Sequence, residues 1–250
     1  MKLSSLSSVR LRFMVEHCKM PAMLNLKPQT PKNLNPLARE LLESLAGHPE
    51  AAEIVLGGGV ALSHYLEYRD TVDVDAWWRV QPEPAVFVLV EQCMKSLAER
   101  HGLSYRHRKW GETESLELLR GSQKQFSFQI SKRTLYLDQA ISAEWQPVWI
   151  ETLRDNVGSK MTALVERGAP RDLRDIFELC TRCFITKEEC WQLWCIKNPE
   201  RDPREGPEKV LFHIERLELQ RPLEKINSPT ERNVAAALRE WFRNVFCATS

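Results

Sequence analysis

Asp73 and Asp75 stand two residues apart in the run Arg69-Asp70-Thr71-Val72-Asp73-Val74-Asp75. From Val72 to Val80 the chain alternates and is rich in β-branched and aromatic residues, which predicts a strand. Side chains two apart on a strand point to the same face, so the carboxylates converge while Val72, Val74 and Ala76 face a core. Two neighbouring carboxylates repel unless something positive lies between them. A hard cation such as Mg2+ meets that need, because it binds one or two carboxylates together with phosphate oxygens. The plainer reading of the same residues is a solvated strand edge carrying two acids.

Just upstream, Gly57, Gly58 and Gly59 separate a short apolar run, Glu53 to Leu56, from a helical stretch, Val60 to Tyr68. In a strand–turn–helix unit, glycines let backbone N–H groups approach a phosphate, and the helix N-terminus adds a favourable field. A glycine run alone equally marks a tight turn. Further along, Lys160, Leu164 and Arg167 share a helical face, and Arg171, Asp172 and Asp175 follow on the next helix. Arg171 is placed to pair with Asp175 at i,i+4. Taken alone, these residues describe an ordinary salt-bridged helix pair.

In this order and spacing the motifs resemble the AbiEii/AbiGii toxin family of nucleotidyltransferases. The resemblance rests on Gly58-Gly59-Val60-Ala61-Leu62, Arg69 to Asp75, Lys160 to Arg167, and Arg171 to Asp175, and covers roughly Val55 to Leu179. It implies Asp73 and Asp75 as ligands of Mg2+ or Mn2+, Lys160 on the nucleotide phosphates and Asp175 completing the catalytic set. Gly57, Gly58, Gly59 and Thr71 would join Lys160 in nucleotide binding. It also implies transfer of NMP from an NTP to an acceptor, tRNA in some members, and an antitoxin protein partner in a bacterial toxin–antitoxin pair. Two positions depart from the family: Val60 replaces the usual Thr, and Thr71 the usual Ser. A third carboxylate is missing from the strand around Phe126 to Ile130, whose polar face offers Gln125, Ser127 and Gln129; Glu117 on the preceding strand is a weak substitute. Two rival functions follow, transfer to a small molecule and nucleotide or partner binding without turnover.

The elements needed to hold such a site read as an α+β fold. A nucleotidyltransferase-type mixed sheet with flanking helices is followed by a C-terminal helical bundle. We divide the chain into a flexible tail at 1–34, an α/β core at 35–147 and a helical domain at 148–250. The net charge of +1, from 35 basic and 34 acidic residues, gives no electrostatic case for a dedicated nucleic-acid binder. The basic run Arg100, Arg106, His107, Arg108 and Lys109 reads as a solvated strand or a local acceptor-RNA patch. Seven scattered cysteines suit a reducing cytoplasm, and no apolar stretch approaches the roughly 18 residues of a membrane span. Cys180, Cys183, Cys190 and Cys195 fall on expected helices, which favours core packing over zinc. His64 is expected to be structural.

Overall fold

The computed structural model describes residues 26–133, 135–142 and 144–248. They fall into two compact units, Leu26–Asn156 and the residues from Val157 onward.

The first unit is built on a seven-stranded sheet. Helix α1 (Pro36–Ala46) starts as expected, with Pro36 in its first turn and the Asn35 side chain accepting from the Leu37 and Ala38 N–H groups. Strand β1 (Ile54–Gly57) runs into the short helix α2 (Gly58–Ser63), and β2 (Asp73–Trp78) returns antiparallel beside β1. Helix α3 (Pro84–His101) ends at Gly102 in the left-handed region. A meander follows: β3 (Ser104–Trp110), β4 (Thr113–Arg120) and β5 (Gln123–Ser131). Gly111 and Gly121 turn it with positive φ. Two-residue strands β6 (Ile141–Ser142) and β7 (Trp149–Ile150) extend the other edge, giving the order β3-β4-β5-β2-β1-β7-β6. The sheet is mixed, since β2 runs parallel to β5 and β1 to β7.

One sheet face is apolar. Leu56, Val74, Ala76, Leu116, Phe126 and Phe128 form a core with Leu41, Leu42 and Leu45 of α1 and Val90, Met94 and Leu97 of α3. The opposite face carries Asp73 and Asp75. Val72, expected in that core, precedes the strand and is exposed.

Of the expected tail, residues 1–25 lie outside the described residues. Residues 26–34 belong to the first unit: Pro31 and Leu34 are buried, and Gln29 N–H donates to the His64 carbonyl at 2.8 Å. Buried Pro31 and Leu34 and hydrogen bonds from Gln29 and Asn33 hold a segment that lacks helical periodicity. The break between the units falls after Asn156, inside helix α4 (Leu153–Arg167), rather than near Pro147. The cause is the pair β6 and β7, too short for period-two alternation to register.

The second unit is helical: the rest of α4, then α5 (Pro170–Thr181), α6 (Lys187–Lys197), α7 (Glu205–Gln220) and α8 (Pro229–Trp241). Trp191, Trp241, Phe242 and Phe246 pack ring against ring in its core, as with Trp191 and Phe246 at 5.0 Å. Cys180 and Cys190 meet there with sulfurs 3.7 Å apart, and burial pushes the Cys190 thiol well up. Among the described residues no helix is long and apolar enough to cross a membrane.

Candidate nucleotide and metal site

The glycine turn is folded onto the strand of acids. Gly57 pairs with Asp75 across β1 and β2. Gly58 adopts φ +57°, and a Cβ there would overlap the Asp75 carboxylate. A Cβ on Gly59 would come within 2.8 Å of the Thr71 hydroxyl, and one on Gly57 would strike the Trp77 indole. All three glycines are therefore required by close approach, and at Gly58 by backbone conformation as well. The result is that Gly57, Gly58, Gly59, Thr71, Asp73 and Asp75 come together in one place. Thr71 Oγ1 donates to the Asp73 carbonyl at 3.1 Å, which fixes the chain just before β2.

The helix after the glycines is shorter than the apolar pattern suggested, six residues ending at Ser63 rather than reaching Tyr68. Its dipole field is correspondingly small, so the turn's own N–H groups are what it can offer a phosphate. His64 closes this helix. Trp145 Nε1–H donates to its Nε2 at 3.1 Å, so Nδ1 carries the proton and donates to the Val60 carbonyl at 2.8 Å. Burial holds its pKa below the usual 6.5, against the opposing backbone hydrogen bond. It is a neutral structural histidine.

Asp73 and Asp75 are half-buried and share the polar face of β2. Asp73 Oδ1 accepts from the Ser127 hydroxyl at 2.7 Å and from Lys124 Nζ at 3.0 Å. Parallel pairing sets Ser127 beside Asp73 and Gln129 beside Asp75, the positions where an acid on β5 would stand. Glu117 lies in the same cross-strand row as Asp73, one strand beyond Ser127. Two strand spacings put them roughly 10 Å apart, and Glu117 is held by Arg106 at 2.6 Å. It does not complete the pair. The remaining basic run is similarly engaged, with His107 and Lys109 both on Glu114. Among the described residues no group of three or more His, Cys, Asp and Glu gathers as a metal cage. Two carboxylates beside a glycine turn nonetheless fit a hard divalent cation that completes its shell with phosphate oxygens and water.

The family described as "Nucleotidyl transferase AbiEii toxin, Type IV TA system" matches residues 40–244. The chain belongs to this family. No curated protein matches it. A crystal structure of a candidate nucleotidyltransferase from H. pylori is similar at 18% identity and a TM-score of 0.48, covering 84% of this chain and 92% of that one.

In this AbiEii family member, Lys160 and Asp175 both lie in the helical unit, where they form a buried ion pair between α4 and α5. Lys160, rather than Arg171, is thus the ion-pair partner described on Asp175. Asp172 is held by Arg167, whose Nε donates at 2.8 Å. The i,i+4 rule within one helix gave way to pairing between helices.

Two features escaped the sequence reading. One is Lys124 on Asp73. The other is a buried network behind the glycine turn: Glu151 accepts from Arg133 at 2.6 Å, Trp77 at 3.1 Å and Asn156 at 2.5 Å. Asn156 Nδ2 also donates to the Gly58 carbonyl at 2.9 Å, strapping the turn to this network. Arg133 stacks over the Trp77 ring at 4.9 Å. No local pattern marks these residues, because their partners are distant in sequence.

Proposed function

We propose that this AbiEii family member is a metal-dependent nucleotidyltransferase that moves NMP from an NTP to an acceptor, tRNA being the acceptor class the family resemblance suggests. It acts as the toxin of a toxin–antitoxin pair in a bacterial cytoplasm. The observation that carries this reading is the folding of the glycine turn onto Asp75, with Asp73 on the same face.

Asp73 and Asp75 hold Mg2+ or Mn2+, which when bound neutralises phosphate charge. The Gly57–Gly59 backbone accepts the triphosphate, and Thr71 keeps the turn and β2 in register. Positioning and electrostatics supply most of such catalysis. The acceptor hydroxyl attacks the α-phosphorus, the bond to pyrophosphate breaks, and the hydroxyl proton is released. Lys160 and Asp175 remain in the proposed set on their motifs, Lys160 as a phosphate-binding residue. An antitoxin protein is the proposed partner.

Ser127 and Gln129 at the positions next to the pair favour a second reading, nucleotide or partner binding without turnover. Incubation with each labelled NTP, total tRNA and Mg2+ separates the two. Label transferred to tRNA by the parent and not by Asp75→Asn supports the enzyme. NTP binding without transfer to any acceptor supports the binder.

A further inference from the structure

We infer that Asn156 is a positioning residue that fixes the direction of the Gly58–Gly59 peptide. It makes the Gly59 N–H, rather than the Gly58 carbonyl, face an incoming phosphate. The inference deepens the proposed function and rests on reading the glycine turn as the place of the triphosphate.

A peptide between two glycines has little to fix it locally, since each residue accepts φ of either sign. Its C=O and N–H are coplanar and, in a trans bond, point in opposite directions. The Gly58–Gly59 bond is trans, so a flip of this one plane would exchange a donor for an acceptor on the open side of the turn. A carbonyl oxygen there would repel phosphate, where an N–H attracts it. The sign of the turn's interaction therefore depends on what holds the plane.

Asn156 holds it. Its Nδ2 donates to the Gly58 carbonyl at 2.9 Å and to Glu151 Oε1 at 2.5 Å. Two acceptors facing one nitrogen call for an NH2 group, which an asparagine amide supplies and a hydroxyl does not. Glu151 is fixed in turn by Arg133 and Trp77 on Oε2, and its own N–H donates to the Leu56 carbonyl at 3.0 Å. Asn156 is fully buried, whereas Gly58 and Gly59 are partly exposed. A ligand thus reaches the turn from the side away from Asn156, the side to which the Gly59 N–H points. Both amide hydrogens are committed in this way, and Asn156 Oδ1 is left buried with no partner among the described residues. A residue that only filled space would not carry that cost.

The test labels glycine in the full chain at the amide nitrogen and the carbonyl carbon. Gly58 and Gly59 are the only glycines that follow a glycine, so nuclear magnetic resonance selecting such pairs reads their two peptides alone. In the parent, inorganic tripolyphosphate with Mg2+ should shift the Gly59 amide signal. Asn156→Ala and the similarly sized Asn156→Leu should keep the other glycine amides in place and move the Gly58 carbonyl signal before any ligand is added. Both should bind tripolyphosphate roughly threefold to tenfold more weakly, the population lost with one hydrogen bond to the turn. Leucine restores the volume but not the donors, so Asn156→Leu binding as the parent does would mean a packing role and would overturn the inference. So would a parent that binds tripolyphosphate without a shift at Gly59, a measurement that needs no variant to fold. A parent that binds neither tripolyphosphate nor any NTP would overturn the triphosphate reading and this inference with it.

Discussion

Gly58 and Asp75 compete for one space: the volume that a side chain on Gly58 needs is filled by the Asp75 carboxylate. Gly102 is a natural comparison, since it has φ +60° with nothing near its Cβ position. Replacing Gly102 by Ala should cost only the left-handed penalty, about 1 kcal/mol. Replacing Gly58 by Ala should cost that plus the overlap, roughly 2–3 kcal/mol or more, because Asp75 must leave its place. Urea unfolding of both variants measures the difference. Equal costs would mean that the turn is not seated on Asp75.

Asp73 should not gain stability from loss of its charge. Asp73 already has a cation and a hydroxyl on Oδ1, so Asp73→Asn should lose a partner rather than relieve repulsion. Because Lys124 is well exposed, the loss should stay near 0.5–1 kcal/mol. Both Asp73→Asn and Asp75→Asn should retain the parent's circular dichroism and abolish Mg2+-dependent nucleotide transfer, which a labelled-NTP assay reads. Full transfer by either variant would remove that aspartate from the site.

The acid side of the stability curve should carry the signature of His64. Its folded pKa lies below the ordinary 6.5, so the unfolded chain takes up a proton first as pH falls. The stability linked to neutral His64 is therefore complete above about pH 6.5 and declines as pH falls toward the folded pKa. His64→Gln should be less stable at neutral pH and should show a shallower loss between pH 6.5 and the folded pKa. Unfolding free energies across that range decide it; parallel curves would show that His64 does not set the slope.

Much of this was legible because local rules were strong where they applied. Asn35-Pro36 announced a helix start, Pro84 to His101 kept one apolar stripe, and Val74 and Ala76 alternated cleanly with the acids. The glycine turn and the acids could be placed together because they lie on consecutive elements of the strand–turn–helix–strand unit. What failed was whatever depended on partners far along the chain or on broken periodicity. The bulge at Gln125 reverses the phase of Lys124, which plain alternation does not register. Glu151 and Arg133 are held by each other and by Trp77, Asn156 and Asp155, partners that no local pattern brings together. Strand β7 exists through pairing with β1, and β6 through pairing with β7, rather than through any pattern of their own.

Lys160 and Asp175 call for a stability test before an activity test. Asp175 is fully buried and Lys160 nearly so, and they are paired with each other between α4 and α5. Breaking a buried ion pair by removing one partner typically costs about 3–5 kcal/mol. Lys160→Met should therefore lower the unfolding free energy by that order, with no nucleotide present. The double variant Lys160→Met/Asp175→Leu should recover most of it, because neither charge then remains in the apolar interior. Lost transfer in Lys160→Met alone would thus report a weakened helix pair as readily as a lost phosphate contact. The double variant separates them. If it is as stable as the parent yet binds triphosphate poorly, the phosphate role of Lys160 stands; if it binds NTP as the parent does, that role is removed and the pair is structural. A single Lys160→Met variant that unfolds within a degree of the parent would instead show that the buried pair does not hold these helices together.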